Sequence, residues 1–122
     1  MLNERPHKKL ELWKEAIELV VLIYESTSNF PRAEEFGLKS QLRRAAVSVP
    51  SNISEGLTRR TNPDKIHFLN VADGSLSEID TQLEISFRLK LIDNSKFNII
   101  VSKLIVVQKL LSGLVRSLKS KT

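Results

Sequence analysis

The 122-residue sequence predicts an all-α protein, an up-down-up-down antiparallel four-helix bundle with a Pro-kinked second helix, on three observations. Apolar residues recur three and four apart along four separate stretches, the period of an amphipathic helix. No strand-like alternation bounded by turns is present. Glycine and proline number four each, and three of Pro6, Pro31, Pro50 and Pro63 punctuate helical patterns. Short links between helices favour antiparallel neighbours.

The first helix is expected over residues 9–28. Leu10, Trp13, Ile17, Val20 and Tyr24 follow the helical spacing, with Leu12, Ala16, Leu19 and Ile23 beside them, while Glu11, Lys14, Glu15, Glu18 and Glu25 hold the remainder. The link STSNFPRAE ends it. A second helix is expected over residues 32–58, with Leu38, Leu42, Ala45, Ala46, Val49, Ile53 and Leu57 on one face. Pro50 lies inside it. Its nitrogen cannot donate to the Ala46 carbonyl, and nearby serine hydroxyls or water can take up the freed group, giving a kink instead of a break.

TNPDK starts the third helix, with Asn62 as N-cap, Pro63 at N1 and Asp64 in the positive first turn. It is expected to reach residue 91, close to 40 Å at ~1.5 Å per residue. Its apolar arc holds Phe68, Val71, Ala72, Leu76, Ile79, Leu83 and Phe87. IDNSK is the next break, and Asn94 or Ser95 is expected to cap a fourth helix ending near residue 118. The organisation is then a flexible tail over 1–8, the bundle over 9–119, and a frayed end over 120–122.

The fourth helix is apolar on two sides. Phe97, Val101, Leu104, Leu111, Val115 and Leu118 form a stripe widened by Ile100, Val107 and Leu114, and Ile99, Val106 and Leu110 sit nearly opposite. A bundle helix has one open side, so a second subunit is expected to cover this one.

Composition narrows the function. With 41% apolar and 27% charged residues the chain is a folded protein. It has no cysteine, which excludes disulfides, thiolate metal sites and cysteine nucleophiles and suits a cytoplasmic location. MLNERPHKK lacks a signal-peptide core, and the apolar runs at 19–24 and 104–107 are short for a bilayer, so no membrane partner is expected. Net charge +5 favours an anionic partner, nucleic acid first.

The chemistry of catalysis is sparse. A di-iron bundle needs two Glu-x-x-His motifs, whereas this chain has only His7 and His67, the latter three residues after Asp64. No nucleophile elbow, phosphate-binding loop or H-E-x-x-H is present. Glu55 and Glu78 are the one conceivable acid/base pair, and carboxylates on bundle helices are usually solvated or ion-paired. No cofactor, no metal and no enzymatic activity are expected.

On the second helix Gln41, Arg44, Ser48, Ser51 and Glu55 fall within roughly 80° at about 3.6 residues per turn. Ser75, Gln82 and Ser86 occupy the middle of the third helix's apolar arc, where buried polar groups need partners. These residues, with Asn52, are expected to form a structural polar seam between the two helices, within one chain or across a subunit interface. Ala45, Ala46, Ala72, Gly74 and Ser75 leave room for close approach.

KLELWKEAIEL, FGLKSQLRRAAVSVPSNISEG and FLNVADGSLSEIDTQLEIS carry a resemblance over residues 8–119. They resemble the signature blocks of the four-helix-bundle proteins encoded in 23S rRNA intervening sequences, the R-R-A-A-x-S-x-P-S-N-I-x-E-G order being the most specific. Val49 and Ser54 stand where Ile and Ala are common, and Asp73 where basic or apolar residues are frequent. The resemblance implies a homopentamer without an established biochemical role. It also implies kinship with the accessory variability protein of diversity-generating retroelements, which binds nucleic acid and a reverse transcriptase.

The expected function is therefore that of a non-enzymatic oligomer, a pentamer by resemblance, that binds RNA or DNA. A reverse transcriptase or a ribosomal component is the candidate protein partner. Candidate phosphate contacts are Arg43, Arg59, Arg60 and Lys65, with Lys103, Lys109, Arg116, Lys119 and Lys121 on the fourth helix; Arg44 is assigned to the seam. Aromatic residues fall mostly in core stripes, so binding is expected to be phosphate-driven and salt-sensitive. The alternatives are a purely structural or protein-binding oligomer, and a small-molecule enzyme using Arg44 and Glu55.

Overall fold

Helical periodicity organises the whole chain. The computed structural model describes residues 10–121, and the expected tail over 1–8 lies outside them. Four helices follow in order: α1 (Glu11–Thr27), α2 (Leu38–Leu57), α3 (Asn62–Arg88) and α4 (Asn94–Ser120), with a 3₁₀ turn at Arg32–Glu34 before α2. No strand occurs among the described residues. Each helix packs on its two neighbours in the ring α1–α2–α3–α4, with α2 against α3 the most extensive contact. Pairing of Gln41 with Gln82 and of Ser48 with Ser75 shows that α2 and α3 run antiparallel.

The core is aliphatic. Leu19, Ile23, Leu42, Val49, Ile53, Leu69, Leu76, Ile79, Leu83, Ile100, Leu104, Val107 and Leu111 are essentially inaccessible. In α1 the innermost line is Leu12, Ala16, Leu19 and Ile23; the expected lead line is half-buried at Trp13 and Val20 and reaches solvent at Tyr24. In α3, Val71 is also exposed, not buried. Both shifts follow from adjacent residues lying about 100° apart, so a broad apolar arc does not reveal its centre. Phe30 is buried and anchors the α1–α2 link.

The caps differ from expectation by one residue. Thr61, not Asn62, caps α3, its Oγ1 accepting from the Asp64 amide at 3.2 Å. Pro63 is then at N2, where it also has no amide to satisfy. Asp93, not Asn94 or Ser95, caps α4, accepting from the Lys96 amide at 2.8 Å. The Glu34 carboxylate accepts from the Leu38 amide at 3.0 Å at the start of α2.

α3 stops at Arg88, short of 91. The Lys90 amide donates to the Phe87 carbonyl at 3.0 Å and the Leu91 amide to Ser86 at 2.9 Å, with Lys90 at φ 63°. This is the Schellman arrangement, with a lysine where glycine is usual.

α2 runs through Pro50 as one helix. At its end Gly56 lets α3 approach: a Cβ there would lie 3.1 Å from both the Lys65 carbonyl oxygen and the Phe68 Cβ. α4 is long and apolar enough to cross a membrane by length and composition, although isolated polar residues interrupt its apolar runs. Here α4 packs on α1 and α3 through Ile100, Leu104, Val107 and Leu111.

Candidate functional site

The seam between α2 and α3 is built by part of the expected set. Ser75, buried at 5% exposure, donates its hydroxyl to Ser48 at 2.8 Å. Asn52 Nδ2 donates to the Ser48 hydroxyl at 3.0 Å and to the Ser48 carbonyl at 2.8 Å. Gln82 Nε2 reaches Gln41 Oε1 at 3.4 Å, while Gln82 Oε1 is shielded from solvent with no partner. Ser86 satisfies itself on the Gln82 carbonyl of its own helix.

Arg44, Ser51 and Glu55 stand outside the seam. Arg44 is exposed and lines a shallow depression with Tyr24, Phe36 and Val47. Ser51 lines an apolar groove between α1 and α2 with Trp13, Val21, Val47 and Pro50. Glu55 binds Arg59 at 2.6 Å. The physical reason is rotation: Arg44 and Ser51 lie about 40–60° from Ser48 around the helix, on the side facing α1.

The arginine pair at 43 and 44 exchanges its expected environments. Arg43 Nε donates to Thr27 Oγ1 at 3.0 Å, its Nη2 donates to the Tyr24 carbonyl at 3.1 Å, and its guanidinium stacks 4.3 Å from the Tyr24 ring centroid. A cation is thus held on the Tyr24 carbonyl and the Thr27 hydroxyl in the last turn of α1, where the helix dipole favours it. Arg43 is engaged inside the fold, and Arg44 is the one facing solvent.

Most other candidate cations gather at the opposite end of the bundle. Asn62 Nδ2 donates to the Leu118 carbonyl at 3.1 Å, tying the start of α3 to the end of α4. That bond brings Arg59, Arg60 and Lys65 to the same end as Arg116, Lys119 and Lys121. Arg60, Arg116 and Lys121 are exposed, and among the described residues none takes part in an ion pair. Arg59 lies on Glu55 and 4.6 Å from the Phe68 ring centroid, and Lys65 Nζ reaches the Leu57 carbonyl at 3.4 Å. Lys109 is exposed farther up α4, in a depression with Ile105, Gln108, Ser112 and Arg116.

Lys103 is elsewhere and neutralised. It joins α4 to α1 by pairing with Glu15 at 2.5 Å and Glu18 at 3.1 Å. Its pKa is raised by hydrogen bonds to Glu15 and then Glu18. The Glu18 carboxyl is held below the usual carboxylate range by side-chain hydrogen bonding with Glu15 and by the Lys103 hydrogen bond and charge.

Among the described residues the paired aromatic rings offer no open platform. Phe87 and Phe97 stack on each other at 4.4 Å, and His67 meets the edge of Phe68 at 5.1 Å. Among the described residues no group of three or more His, Asp or Glu side chains is placed to hold a metal ion. One feature had no sequence signal: Phe36, beside the 3₁₀ turn, is 94% exposed.

A solved structure from Bacteroides thetaiotaomicron, described as a protein of unknown function from the S23 ribosomal protein family, has the same fold. It is 25% identical, with a TM-score of 0.77 over 85% of this chain and 97% of that one. No curated protein matches. Residues 8–113 match the model of a family described as 23S rRNA-intervening sequence protein. That match spans most of the bundle, and the chain belongs to this family.

Proposed function

We propose that this chain is a soluble, cytoplasmic, non-enzymatic homo-oligomer that binds nucleic acid, RNA first, through its phosphates. The observation that carries the reading is the gathering of Arg59, Arg60, Lys65, Arg116, Lys119 and Lys121 at one end by the Asn62–Leu118 bond. Lys109 extends the patch along α4. Without an aromatic platform, affinity comes from charge and counterion release.

Oligomerisation is supported by the apolar surface left open. Ile99, Ile105 and Val106 on α4, Val71 and Ile85 on α3, Leu89 just past the end of α3, and Phe36 are all exposed. The pentameric number rests on the family resemblance. Several copies of one weak patch in an assembly raise affinity by avidity. A reverse transcriptase or a ribosomal component is the protein partner the resemblance suggests. Pro50 is read as bending α2, since its ring crowds the Ala46 carbonyl.

A purely structural or protein-binding oligomer is the second reading, favoured by the commitment of Arg43, Arg59 and Lys103 to contacts within the fold. Fluorescence anisotropy of a labelled single-stranded RNA, titrated with nuclease-treated protein at low salt, separates the two. Saturable binding is expected. No binding at the lowest salt would overturn the first reading in favour of the second.

A further inference from the structure

Phe36 is held out in solvent by a backbone that is fixed on both sides of it. The Glu35 amide donates to the Arg32 carbonyl at 3.1 Å, the Gly37 amide to the Glu34 carbonyl at 3.1 Å, and the Gln41 amide to the Gly37 carbonyl at 2.9 Å. In the same link Phe30 is buried, whereas the Phe36 side chain is 94% exposed. The α1–α2 link thus buries one phenylalanine and presents the other on a hydrogen-bonded turn.

The Phe36 ring borders the shallow depression between the end of α1 and the start of α2, where Tyr24 and Val47 are 39% and 42% exposed. The charge there is positive. Arg43 is fixed by Thr27 and by the carbonyl and ring of Tyr24, and Arg44 beside it is exposed. Neither is in an ion pair among the described residues. The carboxylates of the link do not answer that charge, since Glu34 accepts from the Leu38 amide at 3.0 Å and Glu35 pairs with Lys39 at 3.1 Å.

We infer that this depression docks a segment of another protein in which an aromatic or aliphatic side chain is flanked by carboxylates. The apolar side chain meets Phe36, Tyr24 and Val47, and the carboxylates meet Arg44 and Arg43. Exposed aromatic rings beside arginine are the composition of a protein-binding surface, and a guanidinium matches a carboxylate through two parallel hydrogen bonds. RNA fits less well. Arg43 lies 4.3 Å from the Tyr24 centroid, so of the two rings Phe36 alone is unstacked, with no second open ring for the next base. Nor does a shallow depression enclose a small molecule, whose sites are concave.

This site lies at the end of the bundle away from the basic cluster and does not depend on the nucleic-acid reading. A phage-displayed library of random peptides is selected on immobilised wild-type protein, and the enriched peptides are synthesised and titrated by fluorescence anisotropy. The expected consensus is an aromatic or aliphatic residue flanked by Asp and Glu. Phe36→Ala and Arg44→Glu should each weaken peptide binding roughly tenfold or more, with helix content by circular dichroism unchanged. Phe36→Ala should leave RNA affinity as it is, and Arg60→Glu should leave peptide affinity as it is. No enriched sequence, a consensus without acidic residues, or equal binding to wild type and Phe36→Ala would overturn the site. So would a Phe36→Ala variant with weakened RNA binding, which would make the depression a nucleotide contact, or one with a lower mass in light scattering, which would make it a contact between copies.

Discussion

Replacing Arg43 by alanine removes three contacts at once: the bond to Thr27, the bond to the Tyr24 carbonyl and the stacking on the Tyr24 ring. Hydrogen bonds from a charged donor contribute ~1.5–3 kcal/mol together when partly solvated, and a partly exposed cation–π contact about 0.5–1 kcal/mol. Thr27 keeps its bond to the Ile23 carbonyl at 2.8 Å, so no buried group is orphaned. The net loss is then about 2 kcal/mol. A domain of this size loses roughly 3–4 °C of thermal midpoint per kcal/mol, so the midpoint falls by ~6–8 °C at fixed protein concentration. Thermal unfolding followed by circular dichroism measures it, with RNA affinity below the transition measured in parallel. Arg43 lies at the end of the bundle away from the basic cluster, so RNA affinity is expected to be unchanged. An unchanged midpoint together with tenfold weaker RNA binding would refute this placement and restore Arg43 to the phosphate contacts.

Three other perturbations test the fold. Lys90→Gly should stabilise by about 0.5–1 kcal/mol, since relief of the left-handed backbone exceeds the added flexibility of glycine, and urea titration reads it. Leu76→Ala, at a fully buried site, should cost about 3–4 kcal/mol, and a loss under ~1 kcal/mol would show that the core is elsewhere. The Lys103 cluster makes stability pH-dependent at both extremes. Glu18, with its lowered pKa, contributes above the ordinary carboxylate value of about 4.3 and loses that contribution as pH falls through its lower folded value. Lys103, with its raised pKa, contributes below about 10.4 and loses that contribution as pH rises through its higher folded value. Thermal midpoints against pH for wild type and Lys103→Met should therefore converge at acid and alkaline pH and differ between them.

Much of the bundle is legible in the primary structure because helical periodicity is a repeated signal. Each helix offers many apolar residues at the same spacing, so helix existence and order survive errors in single positions. Helix ends are set by one or two atoms and are less legible. TNPD offers two adjacent side chains able to cap, and packing decides for Thr61 because Asn62 is drawn to the Leu118 carbonyl. The end of α3 was hidden because Lys90 gives none of the signal a glycine would.

The candidate site divides in the same way. Ser48, Asn52 and Ser75 were readable as a seam because polar groups in an apolar arc require partners. Arg43 and Arg44 could not be separated, since about 100° of rotation decides which of two neighbours meets α1 and the sequence does not fix the helix's rotation. The exposure of Phe36 depends on the path of the α1–α2 link, for which no periodicity exists. Gly74 was expected to leave room for α2, but it is exposed on α3 and a Cβ there would meet no atom within 4 Å.

The salt dependence of RNA affinity tests the central claim most directly. Four or more phosphate contacts to a single strand, at ~0.7 released counterions each, predict that log K falls against log salt with a slope of roughly −3 or steeper. A slope near zero, or no binding at the lowest salt, would contradict it.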